Sequence, residues 1–402
     1  MIARRLIQVV GTMMIAACIA NGALWTPATN AATDDAAVSS PAPSGTPAPA
    51  CPTREYPAVG ALGITDGAVE WFACAPDEVY RTVIGSSDDI VLIEERGRGG
   101  RDQRTIAMDA ADGSERWRMS TAEAPTPAGP IDGQGIIVLA ASEQDATALV
   151  GVDAATGQER WRVASGHVPL ANSATVAVVG DATSPGASSR FRGIDRVTGD
   201  ELWVSGTPLV DMSGIFVGRS PAAVLGDVIV VPTGATVTAI DMRTGATLWT
   251  APQLDHLAAA DGVVVGTRGT NGPTHLITVA ALDAASGQQL WTAPGQPSYG
   301  GFLAVGDGVV AILEAERRGV IAYEVSSGSE RWRAALTTFV EPQLISGTSL
   351  VLLWEGEVSV VSTTDGATIW SATQPFQSPL MNSVGSNGAS VFVAINSLPW
   401  TN

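Results

Sequence analysis

The sequence predicts an all-β fold, an eight-bladed β-propeller of four-stranded antiparallel blades closed by N- and C-terminal strands that share one blade. Three observations predict it. A glycine is followed four residues later by a tryptophan eight times, at Gly67/Trp71, Gly113/Trp117, Gly157/Trp161, Gly199/Trp203, Gly245/Trp249, Gly287/Trp291, Gly328/Trp332 and Gly366/Trp370. These tryptophans stand 38 to 46 residues apart, a period that marks a repeated supersecondary unit burying its apolar face against its neighbours. No stretch of the repeat region sustains a 3.6-residue apolar period, and Gly or Pro interrupts nearly every window.

Each copy of the signature reads as two strands around a tight turn. The glycine supplies positive φ, and the residue before it, Asp66, Asp112, Thr156, Thr198, Thr244, Ser286, Ser327 or Asp365, carries an oxygen that can bond the local backbone. Upstream lie β-rich runs such as 223–232, 262–267, 308–313 and 350–354, bounded by Gly and Asp, which bring the unit to four strands. Closure follows from the ends. After Trp370 the chain retains only two strand-like runs, 380–385 and 390–396, and before Trp71 only a final hairpin. Two half-units completing one blade leave no open edge. The alternative is a seven-bladed ring with residues 58–71 as an appendage.

Residues 1–31 read as an export signal. Arg4 and Arg5 precede an apolar run from Leu6 to Trp25, and small residues lead to Ala31. Three readings stay open: ordinary cleavage, lipidation at Cys18 after a lipobox-like Ile15-Ala16-Ala17, and an uncleaved anchor, since about 20 apolar residues span a bilayer. All three place the rest of the chain outside the cytoplasm, attached to the membrane at most through the N-terminal segment. Residues 32–50, rich in Pro, Ala, Ser and Thr, read as a disordered linker, and residues 51–402 as the propeller. In an oxidising compartment Cys51 and Cys74, which bracket the N-terminal hairpin, are expected to form a disulfide that ties down the closing blade.

The net charge of −18 argues against nucleic acid and against polybasic docking on lipid. Every basic residue is Arg, so lysine chemistry is absent. Only His167, His256 and His275 are present, without metal-ligand spacing, and no nucleophile elbow or calcium loop occurs. The eight tryptophans, regular on every blade, read as structural packing between blades. The motif aspartates read as caps of the turn.

In such a blade the signature turns share one face of the disc, and the loops before each signature strand share the other. That second face is the variable one, with loops at 94–104, 142–148, 181–189, 267–275 and 314–319, and loops on a rigid scaffold are where binding residues usually sit. Its sharpest feature is Arg96, Arg98, Arg101 and Arg104 in a Gly-rich hairpin. It is a candidate contact for an acidic partner or glycan; a solvated hairpin loop balanced by Glu94, Glu95 and Asp102 is the plainer reading.

The signature resembles the tryptophan-docking repeat of the quinoprotein, or pyrroloquinoline quinone (PQQ), propeller family over residues 58 to 396. Asp109, Asp153, Asp195, Asp241 and Asp283 match the family's aspartate, whereas Glu324, Ser362 and Gly63 depart from it. The dehydrogenases of that family imply PQQ, calcium ligands in long insertions and adjacent cysteines, none of whose sequence marks are present. The chain is more similar to the family's non-catalytic branch of outer-membrane assembly lipoproteins. The resemblance therefore implies a monomeric, non-enzymatic envelope scaffold without a cofactor, binding a protein or glycan. A PQQ-dependent alcohol or aldose dehydrogenase with an atypical site is the alternative.

Overall fold

The computed structural model describes residues 55–76, 79–97, 103–121, 135–143, 146–164, 166–181, 190–208, 222–233, 235–269, 277–294, 303–313, 319–335, 341–354, 357–373 and 380–396. All belong to the unit Ala42–Asn402, and none is helical. The export segment with Cys18, the linker, Cys51, Arg98, Arg101 and His275 lie outside the described residues.

Eight antiparallel sheets form a ring. Blade 1 comprises Val79–Ser86, Ile90–Gly97, Gln103–Asp109 and Glu115–Ser120. Blade 2 shows three described strands, Ile136–Glu143, Ala146–Asp153 and Glu159–Ala164. Blade 3 is His167–Asn172, Val176–Asp181, Arg190–Asp195 and Glu201–Pro208, and blade 4 is Ala223–Leu225, Val228–Pro232, Thr236–Asp241 and Thr247–Pro252. Blades 5, 6 and 7 run from Asp255 to Pro294, Leu303 to Ala335 and Glu341 to Thr373. Blade 8 joins the two ends of the chain, in the order Val69–Pro76, Glu55–Gly63, Ser390–Asn396, Leu380–Ser386.

The ring therefore has eight blades, and residues 58–71 are no appendage. Val59 to Gly63 pair antiparallel with Ala394 to Ser390, so the N-terminal hairpin supplies the third and fourth strands of a blade that the C-terminus begins. The first strands of neighbouring blades lie against one another toward the ring centre, and the fourth strands form the rim.

Within each blade the signature turn forms as the residue types require. φ lies between 66° and 80° at all eight signature glycines. Each glycine amide donates to the carbonyl four residues back, as Gly113 does to Asp109 at 3.0 Å and Gly245 to Asp241 at 2.8 Å. The residue before the glycine accepts from the amide two residues on in every copy, for instance Asp112 from Ser114 at 2.8 Å and Thr244 from Ala246 at 3.3 Å. The motif aspartates cap the same turn: Asp195 Oδ1 accepts from the amides of Val197 and Thr198 at 2.8 and 2.9 Å.

The apolar cores lie between blades. Ile90, Leu92 and Trp117 of blade 1 pack with Ile137, Leu139 and Val150 of blade 2, and Trp71 and Phe392 of blade 8 with Val91 and Ile106 of blade 1. Trp291 of blade 5 packs in the same way with Val310, Ile312 and Ile321 of blade 6. Blades cannot bury these faces alone, which is why the repeat must close.

Candidate functional site

Each signature tryptophan is spent on the next blade. Its indole Nε1 donates to the carbonyl of the residue that follows the motif acid, or its replacement, one blade on. Trp71 reaches Ala110 at 2.9 Å, Trp117 Ala154 at 2.7 Å, Trp161 Arg196 at 2.8 Å and Trp203 Met242 at 2.8 Å. Trp249 reaches Ala284 at 2.9 Å, Trp291 Val325 at 2.6 Å and Trp332 Thr363 at 2.8 Å. Trp370 closes the circle by donating to Ile64 at 2.8 Å. The ring plane rests on the next blade's signature glycine, where a Cβ would lie 2.7 Å from Trp161 at Gly199, 2.6 Å from Trp291 at Gly328 and 2.7 Å from Trp370 at Gly67. Glycine is thus required twice over, for positive φ and for the seat of the indole.

Trp291 and Trp71 also make ring contacts that the bare signature does not encode. Trp291 lies tilted against Tyr323 of blade 6 with centroids 6.5 Å apart, and Trp71 against Phe392 of its own blade at 6.0 Å. Trp291 is 8% exposed, so its indole is enclosed by blade 6 and offers no open platform for a ligand. The amide of each docking residue holds the first turn of its own blade, as Ala110 donates to Asp89 at 3.0 Å and Thr363 to Thr348 at 3.0 Å. The turn face is consequently committed to ring assembly.

One docking residue differs in kind. At blade 3 it is Arg196, 4% exposed, whose Nε donates to Ile136 of blade 2 at 2.9 Å and whose Nη1 reaches Ser173 of its own blade. Sequence reasoning assigned this arginine no role.

Arginines before the tryptophan turn back on the motif acid. Arg116 bonds Asp109 through Nε and Nη2 at 3.0 and 2.7 Å, Arg160 bonds Asp153 at 2.6 Å, and Arg331 bonds Glu324 at 2.6 and 3.0 Å. Hydrogen bonds from Arg160 and Thr156 bring the Asp153 carboxyl down to about 2. With its folded value below its unfolded one, Asp153 contributes stability that is complete above the ordinary value of 3.8 and is lost as pH falls toward 2. Arg160→Gln is expected to raise the Asp153 titration midpoint part of the way to 3.8, because Thr156 still donates. Carbon-detected NMR of the carboxyl measures it, and an unchanged midpoint would show that Arg160 is not the cause.

The opposite face carries the candidate arginine hairpin, between the second and third strands of blade 1. Arg96 folds inward, with Nη2 3.1–3.2 Å from the Glu94 carboxylate, which Gln103 also bonds. Arg104 lies half-buried on the third strand, at the register of Glu95 and Ser120. Glu95, 6% exposed, is held by Arg81 of the first strand, whose Nε and Nη2 reach one carboxylate oxygen at 2.9 and 2.7 Å. Among the described residues Glu94 is thus bonded by Arg96 and Gln103, and Glu95 by Arg81. Arg81 stands outside the hairpin, 14 residues before Glu95, and only the pairing of the first two strands brings it there.

His256 is exposed, with φ of 52°, at the start of the first strand of blade 5, and His167 begins the first strand of blade 3. Among the described residues no three His, Cys, Asp or Glu side chains converge to hold a metal. The sequence also has no adjacent cysteines. Cys74, half-buried on the second strand of the N-terminal hairpin, is disulfide-bonded.

Comparison with known proteins agrees with the ring. A family model described as outer membrane protein assembly factor BamB matches residues 101–263 and 277–397. The crystal structure of BamB from Moraxella catarrhalis superposes with a TM-score of 0.50 at 18% identity, over 84% of this chain and 91% of that one. A quinohemoprotein alcohol dehydrogenase from Pseudomonas putida gives 0.49 at 13% identity, over 80% and 72% of the two chains. A europium-containing methanol dehydrogenase gives 0.46 at 12%, over 76% and 81%. Among curated sequences nothing matches.

Proposed function

The chain belongs to the family of the outer membrane protein assembly factor BamB, and from that membership we propose that it is a non-enzymatic, extracytoplasmic scaffold of the cell envelope, monomeric and without a cofactor. It holds a protein or glycan partner through the variable loop face. One observation carries this reading: on the turn face the signature residues are consumed by blade-to-blade docking, from Trp71 on Ala110 round to Trp370 on Ile64, so variation is confined to the other face. The N-terminal segment supplies export and any attachment to the membrane, by cleavage, lipidation at Cys18 or anchoring.

Two measurements test the proposal. Protein purified with its native N-terminus is titrated with PQQ and calcium while melting temperature and dye-linked alcohol or aldose oxidation are followed. Unchanged melting and no turnover are expected. A saturable rise in melting temperature, which ligand binding to the native state must produce, accompanied by turnover would establish the dehydrogenase alternative. Crosslinking in native envelopes then compares wild type with a variant carrying Ser at Arg96, Arg98, Arg101 and Arg104. Loss of the crosslinked partner at unchanged melting temperature is expected, and its retention would remove the arginine hairpin from the contact.

A further inference from the structure

The turn that joins the two C-terminal strands of blade 8, Leu380–Ser386 and Ser390–Asn396, contains Asn387 followed by Gly388. This is the one Asn–Gly pair among the described residues, and such a pair sets an electrophile beside a nucleophile. The side-chain Cγ of an asparagine is open to attack by the backbone nitrogen of the next residue, and a glycine there leaves that nitrogen unshielded. Gly388 is exposed with φ of 91°, and a Cβ placed on it would meet nothing within 4 Å. That flank of the turn stands open to water.

The hydrogen bonds of the turn fall on the atoms that would react. Asn387 Oδ1 accepts from the amides of Ala389 and Ser390 at 3.1 and 2.8 Å, an arrangement that polarises Cγ and stabilises negative charge on the oxygen when a tetrahedral intermediate forms. The Gly388 N–H donates to Ser386 Oγ at 3.0 Å, so the proton that the nitrogen must lose already has an acceptor. The Ser386 hydroxyl donates in its turn to Ser346 Oγ of blade 7 at 3.0 Å, and the Ser386 carbonyl accepts from Ser86 Oγ of blade 1 at 3.0 Å. Both neighbouring blades thus hold the turn in place, a preorganisation that an unfolded segment of the same sequence lacks. The corresponding turns of blades 5 and 6 place Asp261 and Asp307 before glycine, but a carboxylate is a poor electrophile. Their oxygens are also engaged across blades, by the Gly308 amide at 2.9 Å and the Thr363 hydroxyl at 2.6 Å.

We propose that Asn387 is a self-modification site, at which the fold promotes deamidation and thereby loosens its own closing blade. Gly388 N bonds to Asn387 Cγ, the Gly388 amide proton passes by way of Ser386 Oγ and water to Nδ2, and the Cγ–Nδ2 bond breaks to release ammonia. Water then opens the cyclic imide at either carbonyl, yielding aspartate or isoaspartate with no change of oxidation state. Isoaspartate runs the main chain through the side-chain methylene and lengthens the turn. The effect falls on the closure of the ring, because the Ala389 carbonyl accepts from the Ile64 amide at 2.9 Å and the Ile64 carbonyl is the acceptor of Trp370 at 2.8 Å. A longer turn displaces the first carbonyl and with it the seat of the last tryptophan. This site is separate from the loop face and does not rest on the scaffold reading.

The test incubates the full chain, and as unfolded reference a synthetic peptide of residues 380–396, at one neutral pH, and follows both by peptide mapping and an isoaspartate-specific methylation assay. Conversion at Asn387 is expected to run about tenfold or more faster in the folded chain than in the peptide, a fraction of what two buried oxyanion donors supply because this turn is exposed. Ser386→Ala is expected to bring the rate toward that of the peptide, and Ser386→Thr, which keeps the hydroxyl, to restore it even if the alanine variant melts early. Asn387→Ser keeps a capping oxygen but has no amide to lose, and is expected to give no conversion at this position. Aged wild type is expected to melt a few degrees below fresh protein, and aged Asn387→Ser to melt with its own fresh sample. Conversion no faster in the chain than in the peptide would overturn the site. An isoaspartate-enriched fraction that melts with fresh protein would overturn its link to ring closure.

Discussion

Trp370→Ala is expected to destabilise the whole ring by about 3–5 kcal/mol, the cost of removing a large buried aromatic from a packed site. Trp370 is 6% exposed, donates to Ile64 at 2.8 Å and lies against Gly67, so alanine leaves a cavity together with an unpaired carbonyl. The effect reaches the entire domain because this seam joins blade 7 to the blade that closes the circle. Trp203→Ala should cost less, since Trp203 is only half-buried and part of its surface already faces water. Urea midpoints of both variants measure the difference. If Trp370→Ala moved the midpoint no more than Trp203→Ala, indole burial would not be what holds the seams, and a ligand role for these rings would have to be considered.

Ending the chain after Ala389 is expected to abolish the folded monomer. The lost strand contains Val391, Phe392, Val393 and Ala394, all at most 1% exposed, and it provides the only ladder between the N-terminal hairpin and the C-terminus among the described residues. Burying the three larger side chains is worth about 5–9 kcal/mol in total, comparable with the whole stability of a typical domain. It would also leave the Glu55–Gly63 strand as an open edge. Circular dichroism and size exclusion read the outcome, and a synthetic peptide of residues 380–396 added in trans should restore the cooperative transition. A truncated chain that melts within a few degrees of the full one would mean that blade 8 is not the closure of the ring. We propose Cys51 as the partner of Cys74. The clasp then ties the two N-terminal strands of this blade together, and non-reducing peptide mapping of the full chain is expected to recover the linked pair.

The repeat, the blade count and the closure were legible from the chain alone because their causes lie within about ten residues of one another. The Gly-to-Trp spacing, the turn-capping side chain at positions such as Asp112 and Thr244, and the half-units at both ends are all local, and a local hydrogen bond such as Asp112 to Ser114 forms whatever the neighbouring blade does. Their recurrence on every blade further indicated that the tryptophans pack between blades. What recurrence cannot supply is the identity of the atoms each one meets. The carbonyls of Ala110, Arg196, Val325 and Ile64 as indole acceptors, the Tyr323 ring beside Trp291, and the signature glycine as the seat of the preceding tryptophan depend on blade stacking. Arg81 as a partner of Glu95 depends on strand pairing. The exposed apolar rim at Val163, Leu202 and Val204 was hidden for the same reason. A valine on an amphipathic strand reads identically whether the adjoining blade covers it or not, and only the packed structure shows that these three stay 38–48% exposed. Periodicity is a property of the chain, whereas coverage is a property of the seam, and burial energy is assigned by the seam.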